Sequence, residues 1–167
     1  RLASQRHFPA INWLTSYSLY QNIVDGFARE KIAPGWGENR KETLRILQKE
    51  AELEELVRLI GIEALSPEDK LLMEVAKIIR EDFLHQNAYH EVDTYTSLKN
   101  QYYMLNAILR FYSEAQEALQ KGIDLSKIIE IPAKDDISRL RFVPEGDREA
   151  FRQVEQGIQQ QIGALRE

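Results

Sequence analysis

The residues best suited to chemistry in this chain are few and poorly gathered. His85, His90, Glu91 and Asp93 lie close together and carry imidazole and carboxylate groups of the kind that bind divalent metals. The two histidines stand five apart, which on a helix turns them to different faces. A di-iron bundle also needs paired Glu-x-x-His motifs, and the chain has none. The cluster therefore reads as a polar loop at a helix end, with no metal site assigned. His7 is the remaining imidazole, and no serine stands in the Gly-x-Ser-x-Gly setting that exposes a nucleophile. Gly35 and Gly37 flank Trp36, but no lysine follows to complete a phosphate-binding loop. Such a loop needs backbone N–H groups and an ammonium together around the phosphates. The glycine pair reads as an ordinary loop. Tyr102, Tyr103, Phe111 and Tyr112 fall at helical spacing, which favours core or helix–helix packing over ligand stacking.

Whatever these residues do, helices must hold them. The first fifteen residues read as extended or looped, since Pro9 disfavours helix at Phe8. Tyr20, Ile23, Val24 and Phe27 then predict a helix from Ser16 to about Lys31, ended by the breaker cluster Ala33-Pro34-Gly35-Trp36-Gly37. A long helix follows from about Glu38 to Ile60, with Leu44, Leu47, Ala51, Leu53, Leu56, Val57 and Ile60 inward and Gly61 as a left-handed C-cap. The acidic run Glu50–Glu55 reads as a solvated face of that helix. Ser66, Pro67 and Asp69 fit the cap, first-turn and capping-box positions of the next helix. Leu72, Val75, Ile79 and Phe83 give it an inward stripe, with an end near Gln86.

A third long helix is predicted from about Thr94 to Lys121 on Leu98, Tyr102, Leu105, Leu109, Tyr112 and Leu119, stopped by Gly122. A short helix at Asp124–Ile129 precedes an irregular stretch containing Pro132 and Pro144. The last helix begins near Asp147 and lines up Phe151, Val154, Ile158, Ile162 and Leu165. No strand pattern of useful length alternates. The fold class is all-α, a helical bundle of long amphipathic helices with a short non-helical N-terminal lead-in.

Composition narrows the function classes. At 167 residues the chain is long enough for one core without metal or disulfide staples. A net charge of −5 argues against a nucleic-acid surface, which needs clustered Lys and Arg. No apolar run is long enough to insert directly into a membrane, so a membrane link must come through partners. The absence of cysteine removes disulfides and thiolate chemistry and suits a cytosolic setting. The start at Arg1, without an initiator Met or a signal-peptide core, suggests that the chain begins within a longer protein.

Three segments carry a resemblance. Arg6-His7-Phe8-Pro9-Ala10-Ile11-Asn12-Trp13-Leu14 resembles a signature of the catalytic A subunits, or alpha chains, of V/A-type rotary ATPases. In those subunits it joins the nucleotide-binding domain to the C-terminal helical domain. Phe83-Leu84-His85-Gln86-Asn87-Ala88-Tyr89-His90-Glu91-Val92-Asp93 and Tyr102-Tyr103-Met104-Leu105 look like the same family, so the similarity covers essentially the whole chain. Gly61 to Lys70 is also similar to the acidic helix-turn-helix loop of F-type catalytic beta subunits, which presses on the rotating central stalk. Glu63, Leu65, Ser66, Glu68 and Asp69 fit that pattern, while Ala64 and Pro67 replace acids.

The resemblance implies that residues 1–15 are the tail of a nucleotide-binding domain with its linker, and 16–167 the helical domain. It implies contact with the adenine of ATP or ADP for Phe8 and for the segment containing Phe83 and Tyr89, which departs by one extra residue and by Tyr for Phe. Phe83 also fits its own helix's core stripe, so Tyr89 is the preferred contact. It implies that Glu63, Leu65, Glu68 and Asp69 face the stalk. The full subunit is expected to use ATP or ADP with Mg, alternate with B subunits, bind central-stalk subunits, and couple hydrolysis or synthesis to proton or sodium transport. The complex would be cytoplasmic and peripheral on the membrane. The fragment alone is expected to bind no cofactor and to be inactive. Two other readings stand beside this one: a free-standing helical interaction module, and a metal-dependent helical enzyme using His85, His90 and Glu91.

Overall fold

The computed structural model describes residues 35–84 and 98–167. The expected helix at 16–31, the junction before it and the His85–Asp93 segment lie outside the described residues. Within them are six α-helices and no strand. Helix α1 spans Trp36–Ile60, a 3-10 turn Ile62–Ala64, helix α2 Pro67–Ile78 and a π-helical turn Ile79–Leu84. Helix α3 covers Leu98–Gln120, α4 Leu125–Ile129 and α5 Pro132–Arg139. A second 3-10 turn, Leu140–Phe142, leads to the last helix, α6, at Arg148–Ala164.

Apolar periodicity decides the packing. On α3, Met104, Leu105, Ile108, Phe111, Tyr112, Ala115 and Ala118 are all buried, a stripe at three- and four-residue steps that runs the length of the helix. It packs most extensively against α6, whose Phe151, Ile158 and Ile162 face it, and also against α2. Leu72, Val75, Ile79 and Phe83 are buried as their spacing requires. The core is continuous from Ile46 of α1 to Ile162 of α6.

Helix α1 differs from its predicted face. Its buried residues are Trp36, Thr43, Ile46, Leu47, Glu50 and Leu53. Ala51 is exposed, Leu56 and Ile60 are 40% and 55% exposed, and Leu44 and Val57 are only partly buried. Beyond Leu53 the helix loses its cover, and apolar residues on every side there make the sequence pattern ambiguous. Glu50 is no part of a solvated face. It is 5% exposed and binds Arg80 of the π-helical turn through three hydrogen bonds of 2.7, 3.0 and 3.1 Å.

The stretch expected to be irregular after Ile129 contains α5. Pro132 opens it, because the first helical position needs no N–H and suits a fixed φ. Gln161 of α6 then accepts a hydrogen bond from the Ala133 N–H at 2.8 Å, so the helix start is satisfied from across the bundle. Gly61 ends α1 at φ 84°, ψ 158°. The φ is positive as expected, but ψ is extended, a region essentially closed to any residue with a Cβ. The chain therefore turns out of the helix axis instead of closing a left-handed cap.

Candidate functional site

Two groups of predicted residues need placing. The first is the loop at one end of the bundle. After Gly61 the backbone makes the 3-10 turn and passes Leu65, whose side chain is 6% exposed and joins the core. Ser66 is extended, and its hydroxyl accepts from the Asp69 N–H at 3.1 Å, capping α2. Glu68 and Asp69 occupy the exposed first turn, where carboxylates are favoured by the helix dipole. Glu63 is 91% exposed at its side chain and lies 3.4 Å from the Lys70 ammonium. The structure thus brings Glu63, Glu68 and Asp69 onto one exposed rim and turns Leu65 inward beneath it. Buried Leu65 and the capped α2 give the rim a stiff base. The far end of α3 and the start of α4 join it: Pro67, Glu68 and Lys70 share a shallow groove with Leu119, Ile123 and Leu125.

The second group is aromatic. Phe83 is 9% exposed and sits in the core within the π-helical turn, in keeping with its place on the inward stripe. Phe8 and Tyr89 lie outside the described residues, as do His85, His90, Glu91 and Asp93. Among the described residues no three His, Cys, Asp or Glu side chains are grouped to hold a metal.

The glycines around Trp36 are part of packing. Trp36 begins α1, is 1% exposed and lies 5.9 Å from the Tyr102 ring. The contact continues through Tyr103 at 5.8 Å to Phe151 at 5.5 Å. Arg148 covers Tyr103 at 5.2 Å, a cation–π arrangement. A Cβ on Gly35 would meet the Tyr102 hydroxyl at 3.0 Å, so glycine is needed for close approach. These residues do not fit a phosphate cradle: the α1 start is closed by an aromatic wall and carries no lysine beside it.

The described acids are likewise committed to structure. Burial pushes the Glu50 carboxyl above its ordinary range, and the Arg80 hydrogen bonds offset this only in part. Burial raises Asp82 against the pull of Arg141, whose guanidinium lies 4.0 Å away on the second 3-10 turn. Glu155 is raised by burial despite the charges of Arg110 and Arg148. These carboxyls lie on different elements and converge on no common point. Sequence reasoning missed the Glu50–Arg80 pair and the exposed apolar end of α1. A glutamate at the i+4 step between Ile46 and Leu53 was the available sign of the former.

Known proteins give the arrangement its context. A family described as the C-terminal domain of V and A type ATP synthase matches residues 25–129. The V-type ATP synthase alpha chain of Thermoanaerobacter pseudethanolicus is 52% identical over 164 residues, 98% of this chain and 28% of that protein. The V-type ATP synthase alpha chain of Acetivibrio thermocellus is 52% identical over 165 residues, with the same shares. That of Clostridioides difficile is 47% identical over 165 residues, again 98% of this chain and 28% of the relative. The chain thus spans 28% of the length of these relatives. An all-helical bundle without a phosphate cradle, matched along nearly its whole length by these alpha chains, belongs to the family of C-terminal domains of V- and A-type ATP synthases.

Proposed function

We propose that this chain is the mechanical arm of a catalytic A subunit, and that it performs no bond chemistry itself. In the full subunit, ATP hydrolysis or synthesis with Mg is carried out by the remainder of the polypeptide. The helical domain converts that cycle into motion of a central stalk and so into proton or sodium transport. The observation that carries the reading is the acidic rim of Glu63, Glu68 and Asp69 on a capped, core-anchored helix pair. A rim of this kind moves as one body with its bundle. Leu65 serves it from below as an anchor. The relatives' names support the ATP synthase setting. B subunits of the head and stalk subunits are the proposed neighbours, and the arm is held at a cytoplasmic membrane face through them. No described helix is long and apolar enough to cross a bilayer itself.

Phe8 and Tyr89 are proposed to grip the adenine without taking part in phosphoryl transfer. A base–aromatic stack is worth roughly 1–3 kcal/mol, a scale taken from nucleic-acid binding. Phe83, packed in the core, serves the site by fixing the chain that leads towards Tyr89.

Incubating the pure chain with Mg–ATP tests the division of labour. No phosphate release above the protein-free rate is expected, and reproducible turnover by the chain alone overturns the reading. In the full subunit, Phe8→Ala is expected to weaken nucleotide binding about tenfold or more, on the stacking scale above. An unaltered dissociation constant rejects Phe8 as the stacking ring.

A further inference from the structure

Four large apolar side chains stand exposed together at the loop end of α1: Leu56 at 40%, Leu59 at 82%, Ile60 at 55% and Ile62 at 48%. Among the described residues these are the exposed large hydrophobics. Leu56, Leu59 and Ile60 follow the i, i+3, i+4 steps that place side chains on one stripe of a helix. Ile62 extends the patch across Gly61 into the 3-10 turn. The helix remains regular to Ile60 although its buried face stops at Leu53. Two turns of apolar helix are therefore built, stiff and uncovered.

Charge says what covers them. Residues 52–70 hold six carboxylates against two cations, so most of the chain's net charge of −5 surrounds this patch. Both cations are engaged within the chain, Arg58 with Glu55 at 3.4 Å and Lys70 with Glu63 at 3.4 Å. An apolar stripe inside an acidic ring complements an amphipathic helix with Leu, Ile or Val along one face and Lys or Arg beside it. A second copy of this surface would set acid against acid, and an anionic membrane would be repelled.

We infer that the Leu56–Leu59–Ile60–Ile62 stripe is the seat for a basic amphipathic helix, and that the acids around it steer and orient the contact without supplying its main hold. The inference rests on the proposed arm function and makes the occupant a helix of the stalk. The roles divide because exposed charges are screened by salt and individually weak, whereas apolar contact that excludes water is not screened.

The test uses the full-length catalytic subunit with Leu59→Cys or Glu68→Cys, with other reactive cysteines removed. Maleimide labelling rates are measured in the free subunit, in the head without stalk subunits, and in the complete assembly. Both positions lie on the surface, so the substitutions leave the core intact. Leu59→Cys is expected to label freely in the first two states and on the order of tenfold more slowly in the third, as in the water-excluded centre of an interface. That shielding should persist at high salt. Protection of Glu68→Cys alone overturns the seat while leaving the arm reading in place. Protection of neither position counts against both. Shielding of Leu59→Cys already in the free subunit, dependent on its concentration, replaces the stalk helix by a second copy and also overturns the inference.

Discussion

A buried carboxylate in a bundle with no catalysis to perform needs a structural explanation, and Glu50 has one. Its three hydrogen bonds to Arg80 tie α1 to the π-helical turn thirty residues later. Removing one partner of such a pair leaves the other poorly solvated. Glu50→Ala is expected to cost roughly 3 kcal/mol, the lower end of the range for buried pairs, because Arg80 keeps some access to water. A fall in the urea midpoint with an unchanged m-value checks this. The pH dependence has a definite sign. Burial raises the folded-state pKa of Glu50, so the folded chain holds that proton more tightly than the unfolded chain does. This contribution to stability is complete below the ordinary glutamate pKa and is lost as pH rises through the raised value. Glu50→Gln should flatten that slope in a pH series of urea titrations, and a slope equal to the parent's rejects the assignment. Nothing in the sequence marks Arg80 as the partner, since the pairing depends on how two helices cross.

Caps and turns set the element boundaries, and here the sequence was most legible where the physics is local. Ser66, Pro67 and Asp69 foretell the start of α2 because each acts on backbone groups within its own turn. Ser66→Ala is expected to destabilise the chain by about 1 kcal/mol, measurable as a lowered melting midpoint. Gly61→Ala should cost about 1–3 kcal/mol, since φ 84° with ψ 158° admits no side chain comfortably. A neutral result at Gly61 means that the turn relaxes. Non-local decisions were hidden. Pro132 looks like a breaker in sequence, yet it opens α5 with help from Gln161 on another helix. The outward stripe at Leu56 and Ile60 looks like core because periodicity reports an apolar face but not whether another element reaches it. The π-helical turn has no compositional signature at all.

At the scale of the molecule, one continuous core joins the first described helix to the last, and the acidic rim is fixed to it through Leu65 and the α2 cap. The all-α class was readable from hydrophobic periods alone. The role as an arm was readable only through the family's motifs, because force transmission leaves no catalytic signature in residue types. The central claim is that this domain moves a stalk and takes no part in the chemistry. Its most direct test is Glu63→Lys with Glu68→Lys and Asp69→Lys in the full subunit of a reconstituted complex, scored as ions transported per ATP hydrolysed. Hydrolysis should continue while that ratio falls severalfold, because like charges now meet a basic partner. An unchanged ratio at an unchanged hydrolysis rate contradicts the account.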